Sequence, residues 1–278
     1  MPAWYEESLK SKARFSLVAS KPLARAQSPY QTIDLFESEQ FGVVLMLDGL
    51  FQTSEGDEHF YHEILVHPAM TSAPSIKRVL VIGGGDGGSI REVLRYSEVE
   101  HVTMCEIDGL VIDLCKQHLA SFNVPWNDPR LDLRVGDGIA FMKEHKGPLF
   151  DVIIVDGSDP VGPAEGLIAE SFYAACKKCL SPEGALVVQS ESPIVMRDDL
   201  VRIVKNMSAV FANARPYLGP VPIYPSGSWS YTVASDKLDP RTPRPDRLAQ
   251  IEPTAKYYNR DIHTAAFALP SDLRRALG

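Results

Sequence analysis

Short apolar stretches separated by polar turns fill the first part of the chain. The segments TIDLFESEQ and FGVVLMLDGLFQTSEGDE are interrupted at Asp48-Gly49 and Glu55-Gly56, and such dipeptides between apolar runs are typical of β-hairpins. Residues 60–70 change to apolar positions at helical spacing. We therefore predict a small antiparallel β domain over residues 1–58, followed by a second domain over residues 59–278.

From residue 77 onward, nearly continuous apolar runs alternate with amphipathic stretches, which predicts strands alternating with helices. The predicted strands are KRVLVIGG, HVTMCEID, LDLRVGD, FDVIIVD and GALVVQSE, and the helices are SIREVLRYS, LVIDLCKQHLA, GIAFMKEH, ESFYAACKKCL and DDLVRIVKNMSAVF. This pattern indicates an α/β fold, a Rossmann-like doubly wound parallel sheet covered on both faces. The tail from Val221, with SWSYTVAS as a strand, is expected to close the sheet with antiparallel edge strands.

Charge and composition exclude several classes of function. The 278 residues carry 28 Lys and Arg against 36 Asp and Glu, a net charge of −8. Without a basic run longer than two residues, no binding to nucleic acid is expected. No apolar run approaches the roughly 20 residues of a membrane span, and the segment MPAWYEESLKSKARF lacks the apolar core of a secretory signal. We expect a cytoplasmic protein that does not enter a membrane.

The four cysteines do not form a disulfide framework in a chain of this length. Cys176 and Cys179 make a C-x-x-C pair, but ESFYAACKKCLSPEG predicts a helix that ends before Pro182, not the start of a helix that a redox motif occupies. No second pair of ligands at short spacing accompanies them. We interpret the pair as helix packing and expect no metal.

Acids and glycines are concentrated where the predicted strands end, which is where ligands of an open α/β sheet bind. The first strand runs into GGGDGG, residues 83–88, and glycines let a backbone approach a ligand closely. Glu106 follows about 20 residues later, where a carboxylate can bind ribose hydroxyls. Asp137, in the sequence Gly-Asp-Gly, is placed for an adenine amine. The plainer alternative is that Glu106 and Asp137 only cap strand ends.

Asp86, inside the glycine loop, narrows the choice of ligand. It would repel the pyrophosphate of a dinucleotide at close range, so NAD and FAD are disfavoured and an adenosyl thioether without phosphate is favoured. It would also oppose the carboxylate of S-adenosylmethionine. Decarboxylated S-adenosylmethionine ends in an ammonium, which Asp86 would attract.

The chain resembles the polyamine aminopropyltransferases over almost its whole length, and most closely their bacterial spermidine synthases. The motifs that carry the resemblance are LDGLFQTSEGDEHFYHE, VLVIGGGDGGSIREV, CEID, GDG, DGSDPVGPAEGL, IYPSG and YYNRDIHTAAFALP. The resemblance implies a sheet of the S-adenosylmethionine-methyltransferase type and no tightly bound cofactor. It implies transfer of the aminopropyl group of decarboxylated S-adenosylmethionine to putrescine, giving spermidine and 5′-methylthioadenosine, in a homodimer or homotetramer.

The resemblance also assigns residues to the two substrates. Those that would contact the adenosyl co-substrate and its product are Gln31, Gly83, Asp86, Glu106, Asp137, Gly138 and Pro163. Those that would form the polyamine site are His62, Asp86, Asp156, Gly157, Ser158 and Asp159, with Asp156 in the position of the proton acceptor. Residues 156–167 resemble the family's gatekeeping loop, which covers the substrates and excludes water.

The chemistry of the reaction fits these residue types. An ammonium has no lone pair, so the attacking amine must lose a proton, and a carboxylate within about 3 Å can accept it. Asp156 is our candidate base, and Asp86 and Asp159 are expected to stabilise the positive charge that moves from sulfur to nitrogen.

Tyr61, His62 and Glu191 each have a functional and a plainer interpretation, and Tyr224 has a functional one. Tyr61 and Tyr224 can hydrogen-bond an amine while their rings line its methylene chain, and Glu191 can anchor the distal ammonium. The alternatives are core packing for Tyr61, a helix-surface position for His62 and a solvated strand end for Glu191.

Three other functions stay open at this point. An aminopropyltransferase with a preference for cadaverine, agmatine or spermidine would share every motif, and residues 194–198 match no motif that decides between amines. A methyltransferase acting on putrescine is disfavoured by Asp86. A polyamine-binding sensor without catalysis is disfavoured because Asp156 and Asp159 are both present.

Overall fold

The computed structural model describes residues 3–9, 13–159 and 162–278, and its N-terminal part is antiparallel throughout. A two-stranded hairpin comes first, formed by β1 (Ala3–Leu9) and β2 (Ala13–Ala19). A four-stranded antiparallel sheet follows, formed by β3 (Lys21–Gln27), β4 (Thr32–Ser38), β5 (Gly42–Leu47) and β6 (Leu50–Ser54). The predicted N-terminal β unit is confirmed.

The turn between β5 and β6 shows why the Asp-Gly signal predicts a hairpin. Leu47 pairs with Leu50, so the loop has only two residues. Asp48 and Gly49 have φ angles of 49° and 79°. Positive φ at both central positions is the type I′ geometry, whose twist matches that of the flanking strands.

A mixed seven-stranded sheet forms the larger part of the molecule. Its strands are β7 (Arg78–Gly83), β8 (His101–Glu106), β9 (Leu131–Val135), β10 (Phe150–Asp156), β11 (Leu180–Gln189), β12 (Asn213–Pro220) and β13 (Ser228–Ser235). Their order is β12-β13-β11-β10-β7-β8-β9, and β13 alone among them runs against the others. The predicted doubly wound α/β sheet is confirmed.

The end of this sheet differs from the prediction in one respect. SWSYTVAS does form an antiparallel strand, β13, but it lies between β11 and β12 and is not an edge. The edge strand is β12, for which the sequence pattern predicted no strand. Its residues NARPYLGP include Pro216 and Pro220. Proline has no N–H to donate to a ladder and is tolerated at an edge, where only one side of the strand is paired.

Helices cover both faces of the larger sheet. They are α1 (Glu58–Ser72), α2 (Gly88–Leu94), α3 (Gly109–His118), α4 (Gly138–Glu144), α5 (Glu170–Cys179), α6 (Arg197–Val210), α7 (Pro245–Ile251), α8 (Arg260–Ala266) and α9 (Ser271–Leu277). Two short 3₁₀ helices span Ala120–Phe122 and Gly162–Ile168. Across the residues that the structure describes, no helix is both long and apolar enough to cross a membrane.

Helix α1 connects the two parts of the molecule. Only residues 55–57 separate β6 from α1, and the predicted division at residue 58 stays a prediction. All but two of its residues are buried, because it packs against α2 and against the sheet at β10, β11 and β12. A helix enclosed on all sides loses the one-sided apolar stripe of a surface helix.

Both faces of the sheet are buried, which explains the continuous apolar strands. In β7, Val79 and Val81 belong to the core on one face, while Leu80 and Ile82 belong to the core on the other. A strand with apolar side chains on both faces shows no period-2 alternation.

The C-x-x-C pair belongs to the hydrophobic core on the face of the sheet that contains Leu80 and Ile82. Cys176 and Cys179 are buried free thiols on α5, and burial raises the pKa of the Cys176 thiol far above its usual value. A thiol with a raised pKa is unreactive. The interpretation of the pair as helix packing is confirmed.

Candidate active site

A cavity of about 470 Å³ lies between the N-terminal sheet and the carboxyl ends of the parallel strands. It opens where the strand order reverses, between β7 and β10, which is the usual ligand position in open α/β sheets. Twelve of the predicted site residues line it. They are Gln31, Tyr61, Gly83, Asp86, Glu106, Asp137, Gly138, Asp156, Gly157, Ser158, Asp159 and Tyr224.

Glycine allows the ends of β7 and β10 to meet at this point. Gly83 and Gly84 have φ angles of 82° and 71°, and the Gly84 N–H donates a 2.9 Å hydrogen bond to the Asp156 carbonyl. A Cβ atom on Gly83 would lie 2.1 Å from that carbonyl oxygen. The close approach brings the Asp86 loop and the Asp156 carboxylate to one wall of the cavity.

Asp156 is held by two neutral hydroxyl groups. Tyr61 donates to Oδ1 at 2.8 Å and Ser89 to Oδ2 at 2.7 Å. Burial and then the charge of Asp86 raise the pKa of Asp156, and the two hydrogen bonds and His62 only partly oppose them. A carboxylate with a raised pKa is a stronger proton acceptor than an ordinary aspartate.

Asp86 has the opposite electrostatic character. Its Oδ1 accepts a 2.7 Å hydrogen bond from the Gly88 N–H and lies 3.3 Å from His62 Nε2. Burial alone would raise the pKa of Asp86, but the charge and hydrogen bond of His62 outweigh it and lower the pKa. Two neighbouring carboxylates with opposite shifts are suited to different tasks, one as an anion and one as a base.

His62 lies behind Asp86 and is not one of the residues that line the cavity. Its side chain is 1% exposed, so the helix-surface alternative is wrong. Its second ring nitrogen, Nδ1, is 2.8 Å from Glu58 Oε2. Burial lowers the pKa of His62, but Asp86 and Glu58 outweigh it and raise the pKa well above its usual value.

Glu106 is a buried carboxylate at the end of β8. Its Oε1 accepts a 2.9 Å hydrogen bond from the Asp108 N–H. Burial raises the pKa of Glu106 to about 7. The hydrogen bond from the Asp108 N–H lowers this pKa, and the charge of the Asp108 side chain raises it further. A ligand that donates hydrogen bonds to this carboxylate would favour its charged form.

Asp137 caps helix α4 and also lines the cavity. Its Oδ1 accepts from the N–H groups of Ile139 at 2.7 Å and Ala140 at 3.3 Å, so it caps α4. Both the capping bond and the cavity position are therefore present, and the role of Asp137 toward an adenine amine stays a prediction. A Cβ on the next residue, Gly138, would lie 2.4 Å from Ile82, so only glycine fits there.

Gln31 connects the N-terminal sheet to this end of the cavity. Its side-chain amide donates a 2.9 Å hydrogen bond to Asp108 Oδ2, which also accepts one of 2.6 Å from Ser28. Asp108 is the N-cap of α3. The loop before β4 thereby closes the cavity beside Glu106.

The opposite end of the cavity contains Tyr224 and Asp159. The Tyr224 hydroxyl donates to the Gln52 carbonyl at 2.8 Å, and its ring centre lies 5.9 Å from that of Tyr61. Burial and the charge of Asp199 raise the pKa of Asp159 to about 6. Tyr61 is 7% exposed, so it packs in the core and also reaches the cavity.

Glu191 is fully buried, so the solvated strand-end alternative is wrong. Its φ angle is 69°, and its Oε1 accepts a 2.9 Å hydrogen bond from the Gln189 amide, which also donates to the Gly157 carbonyl at 3.2 Å. Glu191 is not among the residues that line the cavity. Its role as an anchor for the distal ammonium stays a prediction.

Two predictions concern residues near the segment that is not described. Residues 160 and 161 and the side chain of Pro163 lie outside the described part of the chain, so the place of the Pro163 ring is not assigned. Most of the predicted gatekeeping segment is described, with a 3₁₀ helix over Gly162–Ile168. Ala164 and Leu167 of this segment line the cavity.

Several residues of the site were missed by the sequence analysis. Ser89 and Arg91 lie inside the motif VLVIGGGDGGSIREV, and Glu58 lies inside LDGLFQTSEGDEHFYHE. The spacing of Glu58 and His62 is that of a helical i,i+4 pair.

Glu7 lies outside all of the motifs quoted above. It is buried on β1 and accepts a 2.9 Å hydrogen bond from the Phe51 N–H, and burial raises the pKa of Glu7 to about 7.

The site contains acids, tyrosines and one buried histidine. Among the described residues, no group of three or more His, Cys, Asp and Glu side chains is arranged to hold a metal ion.

Two family models match the chain. Residues 58–244 match the model of the spermine/spermidine synthase domain, and residues 3–55 match that of the spermidine synthase tetramerisation domain.

Similar proteins cover nearly the full length. The polyamine aminopropyltransferase of Caldicellulosiruptor bescii is 42% identical over 98% of this chain and 96% of its own. The polyamine aminopropyltransferase of Thermoanaerobacter sp. (strain X514) is 40% identical over 97% of this chain and 96% of its own. A spermidine synthase solved in complex with the transition-state analogue AdoDATO superposes with a TM-score of 0.95 at 38% identity, covering 100% of this chain and 96% of that one. The spermidine synthase from Thermotoga maritima has a TM-score of 0.92 at 37% identity, with 100% and 95% covered.

Proposed function

Since the chain belongs to the spermine/spermidine synthase family, we propose that it transfers the aminopropyl group of decarboxylated S-adenosylmethionine to putrescine. The products are spermidine and 5′-methylthioadenosine. The observation that carries this proposal is the pair of acids on one cavity wall, with Asp86 held as an anion and Asp156 made more basic. A similar structure, solved with the transition-state analogue AdoDATO, supports it.

The adenosyl part of the co-substrate fits the end of the cavity formed by β8 and α4. Glu106 would accept hydrogen bonds from the ribose hydroxyls. Asp137 uses Oδ1 to cap α4, and Oδ2 would accept from the adenine amine. The apolar side chains of Ile107, Ile139 and Leu167 also line the cavity, and they would cover the faces of the base.

The decarboxylated form of the co-substrate is favoured by charge. The cavity contains the carboxylates of Asp86, Asp156 and Asp159. S-Adenosylmethionine would bring another carboxylate against this wall at a cost in electrostatic energy. An aminopropyl chain brings an ammonium, which the same wall attracts.

The transfer step requires one base and no metal. The neutral amine nitrogen attacks the methylene carbon bonded to the sulfonium, and the carbon–sulfur bond breaks with its electron pair moving to sulfur. The sulfur becomes a neutral thioether and the nitrogen gains a positive charge. Asp156 first takes a proton from the ammonium, which leaves the neutral amine that attacks, and Asp86 and Asp159 then stabilise the positive charge as it moves from sulfur to nitrogen.

The diamine would lie along the aromatic wall. Tyr61 and Tyr224 line the cavity, where their rings would contact the methylene groups, and their hydroxyls are already hydrogen-bonded to Asp156 and to the Gln52 carbonyl. The distal ammonium would bind near Asp159, with Glu191 behind the Gly157 backbone as a further acid. The N-terminal match to a tetramerisation domain supports a homotetramer or homodimer, and we expect a cytoplasmic enzyme.

The experiment is a panel of amines with decarboxylated S-adenosylmethionine. We expect the highest kcat/KM with putrescine. A higher value with cadaverine, agmatine or spermidine would show that the acceptor is misassigned. Binding of these amines without any aminopropylated product would support a sensor and overturn the proposed reaction.

A further inference from the structure

His62 lies between two carboxylates behind the cavity wall. Its Nδ1 is 2.8 Å from Glu58 Oε2, and its Nε2 is 3.3 Å from Asp86 Oδ1. A neutral imidazole has one N–H and one lone pair, so it can donate to only one of them. When both acids are ionised, only the doubly protonated, cationic ring can donate to each of them.

Glu58 is fixed in the position that this arrangement needs. Arg91 donates to Oε1 at 3.0 Å and to Oε2 at 2.6 Å, a bidentate pair. Arg91 also donates to the Phe122 carbonyl at 3.1 Å. The Glu58 side chain is 4% exposed, so it has no route to a solvated alternative position.

The surroundings of the His62 ring are acidic and tightly packed. A Cβ on Gly88 would lie 2.2 Å from the ring, so the start of α2 presses against it. The titratable groups that face His62 are Glu58 on α1, Asp57 before it, Asp86 ahead of α2, Asp156 at the end of β10 and, at the ring edge, Tyr61. The cation of Arg91 pairs with Glu58.

We propose that Glu58 is a positioning residue of the transfer reaction, which acts through His62 to keep Asp86 ionised and leaves proton uptake to Asp156. This inference rests on the proposed function. Asp86, His62, Glu58 and Arg91 form a row of alternating charge, so that each buried charge has an opposite neighbour. Without the Glu58 carboxylate, His62 can lose a proton and become neutral, and Asp86 then loses the opposite charge beside it that favours its ionised form.

The first test is the protonation of His62 in the protein without substrates. Nitrogen-15 spectra of the imidazoles, with His62 identified by its absence in His62→Gln, are recorded from about pH 6 to about pH 9, where an ordinary histidine loses its proton. We expect both nitrogens of His62 to stay protonated throughout, and His62 to titrate inside this range in Glu58→Gln. A neutral His62 at pH 7 in the unsubstituted protein, or no titration in Glu58→Gln, would overturn the inference.

The second test is kinetic. In Glu58→Gln, kcat/KM for putrescine relative to the unsubstituted enzyme should fall about tenfold as pH rises through the His62 titration, because only the protonated ring places a positive charge beside Asp86. The KM for the adenosyl co-substrate should not change. A ratio that is low but independent of pH would mean that Glu58 is only structural.

Glu100→Gln is the matched control. Glu100 forms an exposed ion pair with Lys77, and its substitution should leave both the His62 spectrum and the kinetic ratio unchanged. If Glu58→Gln does not fold, Glu58→Asp keeps a shorter carboxylate, and a smaller fall in the pKa of His62 is expected. An unshifted His62 there would again contradict the proposal.

The two proposals fail in different ways. If no aminopropyl transfer is observed with the unsubstituted enzyme, the proposed function is wrong, while the spectra still report whether Glu58 controls His62. If transfer is normal and His62 is neutral, only the inference about Glu58 is wrong.

Discussion

The Tyr61 hydroxyl donates a 2.8 Å hydrogen bond to Asp156 Oδ1. This bond joins α1 to the end of β10, across 95 positions of sequence, and it fixes the carboxylate toward the cavity. The phenol and the Ser89 hydroxyl are the two donors that Asp156 has in the described part of the chain. Both are neutral, so the carboxylate keeps its capacity to take up a proton.

Replacement of Asp156 by asparagine should remove the proposed proton acceptor and little else. We expect kcat to fall by more than about 100-fold, with binding of 5′-methylthioadenosine by titration calorimetry largely retained. Asp239→Asn is the control, since Asp239 lies on the surface in a pair with Arg241. Near-normal turnover in Asp156→Asn would remove Asp156 from this role.

Tyr61→Phe should shift the pH dependence of the reaction. The hydrogen bond from Tyr61 favours the charged form of Asp156 and lowers its pKa, so its loss raises that pKa. The base is then available only at higher pH, and the acidic limb of kcat/KM should move upward by about 0.5–1 pH unit. Tyr224→Phe is the control, because that hydroxyl donates to the Gln52 carbonyl. Equal shifts in both variants would contradict the account.

Binding of the nucleoside should depend on pH through Glu106. Without ligand, the pKa of Glu106 is raised to about 7, and ribose hydroxyls bind the charged form. Affinity for 5′-methylthioadenosine should therefore rise about tenfold from pH 6 to pH 8 and then level off. Glu106→Gln should bind weakly and lose this dependence, whereas Glu183→Gln, at an exposed position, should keep it. A pH-independent affinity in the unsubstituted protein would argue against a role for Glu106.

Gly88→Ala tests the packing behind Asp86. The added Cβ would lie 2.2 Å from the His62 ring, and such overpacking costs about 1–3 kcal/mol. We expect a lower melting temperature and a KM for putrescine raised about tenfold or more, because the ring must move away from Asp86. Gly136→Ala places its Cβ where nothing lies within 4 Å and should behave normally. Similar results for both variants would show that the contact is unimportant.

The sequence was sufficient to predict the acids at the strand ends. Parallel strands bring their carboxyl ends to one edge, so Asp86, Glu106, Asp137 and Asp156 had to lie near one another once the alternation of strands and helices was recognised. These positions follow from chain order and strand direction, which local patterns reveal.

The contacts between distant elements could not be predicted in this way. The bond from Tyr61 to Asp156 depends on where α1 crosses the sheet, and the burial of Glu7 depends on how β1 packs against β6. His62 was open to a surface interpretation, although the apolar residues around it in FYHEILVHPAM lie on all sides of the helix, a pattern typical of a buried one. Strand β12 was missed because its prolines conceal the strand pattern.

Mass spectrometry of the products formed with putrescine shows which group the enzyme transfers. The enzyme is incubated with decarboxylated S-adenosylmethionine in one reaction and with S-adenosylmethionine in another. We predict spermidine and 5′-methylthioadenosine in equal amounts from the first, and no transfer from the second. Methylputrescine in the second reaction, with no spermidine in the first, would contradict the account.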